Sequence, residues 1–133
     1  MDLSLIIPAY NEEESIPELV AWIKRVMANN NFQYDIWFVD DGSTDKTWQV
    51  LDQLHSEDPI HVKAIKFRRN YGKSAALNTA FHSCQGSVVI TMDADLQDSP
   101  EEIPELYRMI VEDDFDIVSG WKKIRHDNAI TKN

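Results

Sequence analysis

Ser87-Val88-Val89-Ile90-Thr91-Met92-Asp93-Ala94-Asp95-Leu96-Gln97-Asp98-Ser99-Pro100 holds a strand, a ligand edge and a helix start in one short stretch. Ser87 to Met92 is apolar and β-branched, the composition of a buried strand. Asp98-Ser99-Pro100 is a turn with the residues that open a helix. Between them stand Asp93 and Asp95. Two carboxylates one residue apart at the end of a buried strand are costly unless a cation neutralises them. A hard divalent metal, held by carboxylate oxygens and by the phosphates of a nucleotide, does so. The stretch is therefore a β–loop–α unit with a candidate metal–nucleotide site at its turn.

The same alternation runs outward in both directions. Leu3 to Ile7 is a short apolar run ending in Pro8 and predicts the first strand. Ser15-Ile16-Pro17-Glu18 predicts a helix start, with Ser15 as cap and Glu18 completing a capping box. Ile16, Leu19, Val20, Ile23 and Met27 recur at helical spacing, and Asn29-Asn30-Asn31 ends the run. Tyr34 to Val39 is a second strand, and Ser43-Thr44-Asp45 caps a helix carried by Trp48, Leu51 and Leu54. His61 to Phe67 is a third strand. Lys73 to Cys84 is an alanine-rich helix closed by Gly86. Pro100 to Val111 is a fourth helix with Ile103, Leu106, Tyr107 and Ile110 on one face, and Asp116 to Ser119 is a fifth strand. Such alternation implies βαβ units, a doubly wound and mostly parallel α/β sheet, and right-handed crossovers. Residues 1–123 are expected to form one domain. Ile124 to Asn133 has no periodic pattern and reads as an irregular basic tail.

The chain has 133 residues, 43% hydrophobic and 27% charged, which suits one globular domain. A formal charge of −10 argues against nucleic acid as a partner, because that needs a basic footprint. The charge is uneven. Lys63, Lys66, Arg68, Arg69 and Lys73 form a basic stretch without an acid between them, while Asp93 to Asp116 holds many of the acids. No apolar run approaches the roughly 18 residues that span a bilayer. No signal peptide is read. Cys84 is the only cysteine, so no intrachain disulfide forms, and a cytoplasmic setting is expected.

Parallel sheets bind ligands at the carboxyl ends of their strands. Five polar clusters fall there: Tyr10-Asn11-Glu12, Asp40-Asp41-Gly42-Ser43, Arg68 to Gly72, Asp93-Ala94-Asp95 and Gly120-Trp121-Lys122. A Gly-x-Gly-x-x-Gly fingerprint and a Walker lysine loop are both absent. Tyr10 offers a face for a base to stack on, and Glu12 an acceptor for base or ribose; the plainer alternative is a loop with Asn11 in a turn. One of Asp40 and Asp41 serves the turn, and Asp41 is the candidate acceptor for base or ribose. Helix-terminal amides with Lys73 suit an anion, although Ser74 as a cap is the simpler reading. A metal shared by Asp93 and Asp95, with Gln97 a further oxygen, would stabilise charge on a leaving diphosphate.

In this order and spacing the motifs resemble the inverting family-2 glycosyltransferases of the A-type fold. The matching stretches are Ser4-Leu5-Ile6-Ile7-Pro8-Ala9-Tyr10-Asn11-Glu12, Val39-Asp40-Asp41-Gly42-Ser43-Thr44-Asp45, Arg69-Asn70-Tyr71-Gly72-Lys73 and Met92-Asp93-Ala94-Asp95-Leu96-Gln97. The last is most similar to the dolichyl-phosphate mannose synthase branch and its bacterial polyprenyl-phosphate relatives. The resemblance implies that Pro8, Ala9, Tyr10, Glu12, Val39, Asp41 and Ala94 hold a UDP- or GDP-sugar. It implies that Asp93, Asp95 and Gln97 hold Mg²⁺ or Mn²⁺, and that Lys73 and Lys122 face the donor phosphates. It implies hexosyl transfer, with a polyprenyl phosphate as acceptor at the cytoplasmic face of a membrane. The general base and the acceptor-binding half are expected beyond Asn133. A nucleotide-binding module without turnover is the alternative. A signalling domain phosphorylated in an acidic pocket fits less well, since Tyr10-Asn11-Glu12 stands where its aspartates would be.

Overall fold

The structure is a computed structural model that describes residues 1–113, 117–119 and 122–124. Its strands are β1 (Leu3–Ala9), β2 (Tyr34–Asp40), β3 (Val62–Lys66), β4 (Val88–Thr91), β5 (Ile117–Ser119) and β6 (Lys122–Ile124). Its helices are α1 (Ile16–Asn29), α2 (Thr47–Glu57), α3 (Lys73–Ser83) and α4 (Ile103–Asp113), the last preceded by a 3-10 turn over Pro100–Glu102. The strands form one sheet in the order β3-β2-β1-β4-β5-β6. The first five are parallel and β6 runs antiparallel to β5. This is the expected α/β class.

β1 is central, and its period-two alternation feeds both faces of the sheet. Leu3, Leu5, Ile7 and Ala9 join α1, α2 and α4 in the larger core, which includes Ile16, Ile23, Phe38, Leu51, Ile90 and Ile103. Ile6 points the other way, toward Val39, Val89 and the α3 alanines Ala76 and Ala80. The alanine-rich composition of α3 lets it lie close against that face. Burying each large side chain of the main core contributes about 1.5–3 kcal/mol.

Two expectations are corrected. Ile124 ends a strand instead of beginning an irregular tail, because Lys122–Ile124 folds back to pair with β5. Residues 125–133 lie outside the described residues. One crossover also differs in hand from the expectation. From β1 through β2 to β3 the chain steps one way across the sheet, over the α1 face. From β3 to β4 it steps back over the α3 face and so keeps the same hand. From β4 to β5 it continues in that backward direction but over the α1 face, which reverses the hand. Crossovers of one hand throughout were expected. Long-range contacts go with this placement: Ile103, Leu106 and Ile110 of α4 pack into the α1-side core, Ser15 Oγ donates to the Ala94 carbonyl at 2.6 Å and Trp22 Nε1 donates to Glu101 Oε2 at 2.7 Å.

Candidate functional site

The carboxyl ends of β1, β2 and β4 open into a cleft of about 180 Å³. Pro8, Ala9, Tyr10, Glu12, Asp41, Lys73, Asp93, Ala94 and Asp95 line it. Nine residues expected at a ligand from four separate stretches of sequence thus share one cavity. Tyr10 is 44% exposed, so its ring is open to a stacking partner.

Side chains and amides of neighbouring loops lash this edge together. Asn11 takes φ +54°. Its amide donates to Ser43 Oγ at 2.8 Å, while its Oδ1 accepts from the amides of Thr44 and Asp45 at 2.8 and 3.2 Å. The Glu12 amide donates to Thr47 Oγ1 at 2.8 Å, and Thr47 Oγ1 donates in turn to Asp45 Oδ1 at 2.6 Å. The Thr47 amide also donates to Asp45 Oδ1, so Asp45 alone of the expected capping trio serves α2, while Ser43 and Thr44 serve Asn11. Gly42 has φ +78°, and a Cβ there would lie 2.3 Å from the Arg69 carbonyl carbon. Only glycine lets the β2 loop approach the Arg69–Gly72 loop this closely.

The two adjacent aspartates take different partners. Asp40, 1% exposed, accepts from the Ser43 amide at 3.0 Å and serves the turn. Asp41, 6% exposed, accepts from the Tyr71 amide at 2.7 Å and from the Gly72 amide at 3.1 Å. Its carboxylate both clamps the Arg69–Gly72 loop and faces the cleft. Gly72, with φ +102°, precedes the first residue of α3 and no side chain caps that helix. Ser74 lies inside the helix and is not its cap.

At the β4 loop, Lys73 Nζ pairs with Asp93 Oδ1 at 3.0 Å, both side chains being about half exposed. Such an exposed pair contributes roughly 0–1 kcal/mol and yields readily to a stronger cation. The Asp93 amide donates to Asp98 Oδ2 at 3.0 Å, and the Gln97 amide donates to Asp95 Oδ1 at 3.1 Å. Ser99 caps the 3-10 turn by accepting from the Glu101 amide, while Asp98 folds back on Asp93. Glu12 senses the cluster. Burial pushes its carboxyl up from the ordinary value, and the negative charges of Asp95, Asp45 and Asp93 push it further, against the Ser15 hydroxyl.

Two anticipated residues stand apart, and a third is described by its backbone alone. Val39 is fully buried on the α3 side and does not line the cleft. Gln97 is exposed, and its contact with Asp95 is through its backbone. Lys122 begins β6 with its backbone opposite Ser119, whereas Gly120 and Trp121 lie outside the described residues. Sequence reading missed Thr47, fully buried beneath Glu12, and Ser15, which does not cap α1 but reaches Ala94.

All side-chain donors on the β4 loop are oxygens, which suits a hard divalent cation. No three His, Cys, Asp or Glu side chains among the described residues form a metal-holding group. Two carboxylates with ligand phosphates and water completing the shell is how Mg²⁺ is commonly bound, so the residues present fit it.

Fold and cleft define an open α/β domain with its cavity where strands β1, β2 and β4 end. Residues 4–130 match the model of Glycosyl transferase family 2, and the chain belongs to that family. It is 42% identical over 130 residues to the undecaprenyl-phosphate 4-deoxy-4-formamido-L-arabinose transferase of Pseudomonas fluorescens (strain SBW25), covering 98% of this chain. It spans 38% of that protein's length. Among solved structures it is similar to S. aureus TarS 1–349 in complex with UDP-GlcNAc, with TM-score 0.65 and 28% identity over 84% of this chain and 32% of that one. It is also similar to the mannosyltransferase PcManGT of Pyrobaculum calidifontis in complex with GDP-Man and Mn²⁺, with TM-score 0.67 and 26% identity over 81% and 31%. The Pseudomonas and Pyrobaculum proteins bear the names of sugar transferases, the class that the resemblance implied. The curated one lies on the bacterial polyprenyl-phosphate side of the expected branch. No helix among the described residues is long and apolar enough to cross a membrane.

Proposed function

We propose that this chain is the donor-binding part of an inverting glycosyltransferase, and that its cleft holds a UDP- or GDP-sugar together with Mg²⁺ or Mn²⁺. The observation that carries the reading is the meeting of Tyr10, Glu12, Asp41, Lys73, Asp93 and Asp95 in one cleft. Tyr10 stacks on the base. Asp41, already fixed by two amides, has acceptor capacity left for a base or ribose donor. Glu12 accepts from ribose. Pro8, Ala9 and Ala94 give the close walls, and Val39 supports them from beneath. Lys73 faces the diphosphate, and Lys122 is assigned to it as a second cation from the family resemblance. Asp93 and Asp95, with Gln97, hold the cation, which when bound neutralises charge on the departing diphosphate.

The residues seen here serve the donor. The acceptor is proposed to be a polyprenyl phosphate, as the name of the Pseudomonas relative suggests. Its binding half and the general base are assigned to a further part of a protein that works at the cytoplasmic face of a membrane, since this chain spans 38% of the Pseudomonas relative's length. Equilibrium binding of UDP-glucose, UDP-GlcNAc and GDP-mannose with Mn²⁺ tests the donor role. At least one donor should bind at micromolar to low-millimolar concentration and be displaced by its nucleoside diphosphate. Failure of all three to bind would defeat the reading. A radiolabelled-sugar assay should show slow donor hydrolysis and no glycolipid; robust glycolipid from these residues would contradict the division into halves.

A further inference from the structure

Two of the loops that line the donor cleft follow the paired strands β1 and β4, and one hydroxyl joins them. Ser15 stands at the N-cap position of α1 and is the residue type that normally accepts from its own helix amides. It makes no such bond. Its Oγ instead donates to the carbonyl of Ala94, 79 residues away, at 2.6 Å. Ala94 is 3% exposed and lies between Asp93 and Asp95. Among the described residues that carbonyl has no other hydrogen-bond donor. The same Oγ lies 3.4 Å from both the carbonyl and Oε1 of Glu12.

The loop it holds is not relaxed. Leu96 takes φ +67°, a left-handed conformation that a branched side chain rarely adopts without surrounding restraint. The restraints are visible on both sides of Leu96. Asp98 fixes the Asp93 amide, Ser15 fixes the Ala94 carbonyl, and Glu101 accepts from Trp22 of α1. The contact with Ser15 is the one that also reaches the nucleoside side of the cleft.

We propose that Ser15 is a positioning residue that holds the Asp93–Asp95 backbone in its cation-binding form. The inference rests on the metal role assigned above to Asp93 and Asp95. Removing the hydroxyl frees the Ala94 carbonyl and lets the strained loop relax, so the two carboxylates lose their common aim. The nucleoside contacts of Tyr10 and Asp41 do not depend on it.

The test measures UDP and GDP binding to the wild-type chain, Ser15→Ala and Ser15→Thr, each with Mn²⁺ and with EDTA, and free Mn²⁺ by electron paramagnetic resonance. Outer contacts of metal ligands are typically worth about 10–100-fold in metal affinity, so Ser15→Ala should weaken Mn²⁺ binding by at least about ten-fold. Nucleotide affinity in EDTA should stay within about two-fold of wild type. Ser15→Thr, which keeps the hydroxyl, should restore Mn²⁺ binding. Wild-type Mn²⁺ affinity in a folded Ser15→Ala overturns the inference and leaves the metal site standing. Equal loss in Mn²⁺ and in EDTA overturns it by placing Ser15 with the nucleoside or the fold. Absence of any Mn²⁺ effect in the wild type defeats the metal assignment and this inference with it.

Discussion

The two edges of the sheet use the same residue types in opposite ways. At the amino ends of the strands, Asp58 accepts from Lys24 Nζ at 2.9 Å and contacts His61 Nδ1 at 3.0 Å, and the His61 ring stacks on Tyr34 with centroids 4.4 Å apart. Partial burial pushes the Asp58 carboxyl up, but the bonds from Lys24 and His61 outweigh it and hold it below the ordinary carboxylate range. At the carboxyl ends, Glu12, Asp45, Asp93 and Asp95 gather where the one ion pair described is the exposed Lys73–Asp93 contact. There Glu12 is pushed up, first by burial and then by its acidic neighbours. One edge satisfies its charges within the fold. The other keeps unbalanced acidity, a feature of sites whose missing charge comes with the ligand.

Breaking the acidic edge should have the largest effect, and on binding only. Asp95→Ala should abolish the Mn²⁺-dependent part of nucleotide affinity while the melting temperature of the free chain stays level or rises. A large drop in melting temperature would make Asp95 a structural residue instead. Asp41→Ala should act on both counts. It strands the Tyr71 and Gly72 amides as well as removing a ligand acceptor, and a charged hydrogen-bond partner is worth about 1.5–3 kcal/mol. Denaturant unfolding should show that loss, and nucleoside affinity should fall with or without metal. A variant as stable as its parent would show that the loop finds other partners.

The amino edge should respond more weakly. Asp58→Ala should cost about 1 kcal/mol or less at neutral pH, as partly exposed pairs do. Because the folded carboxyl titrates below the unfolded value of about 3.9, its contribution is present above that value and disappears as pH falls through the folded one. Wild type and variant should therefore converge in acid unfolding curves. Convergence already at neutral pH would remove Asp58 from the account. The smallest effect belongs to Glu12→Gln. A raised folded carboxyl penalises the ionised form, so the variant should gain stability at neutral pH, by less than about 1 kcal/mol, and lose the gain below the carboxyl range. Nucleotide affinity should fall meanwhile; a variant that is less stable at neutral pH would contradict the repulsion.

Period and turn chemistry made most of the fold legible. The runs Leu3 to Ile7 and Ser87 to Met92 could only be buried strands in an α/β alternation, and Asp93 and Asp95 stood out because they follow one. The side of the sheet taken by α4 was not legible, since the contacts that go with it, among them those of Ser15 and Trp22, reach residues 79 positions away. The cap of α1 failed for the same reason: local pattern offered Ser15 to its own helix, and a tertiary acceptor took it. Val39 was matched by motif position, yet alternation along β2 turns its side chain into the core behind the cleft. β6 was missed because Lys122-Lys123-Ile124 is too short and too polar to carry a strand signal without its pairing to β5.

The central claim, that the acidic edge awaits a cation brought together with a nucleotide diphosphate, is tested most directly by calorimetric titration of UDP and GDP into the chain. Each is titrated with Mn²⁺, with Mg²⁺ and with EDTA at constant ionic strength. The account predicts that one of the two nucleotides binds at least about ten-fold more tightly with metal than in EDTA, a difference of ~1.4 kcal/mol. Equal affinity with metal and in EDTA for both nucleotides would contradict it.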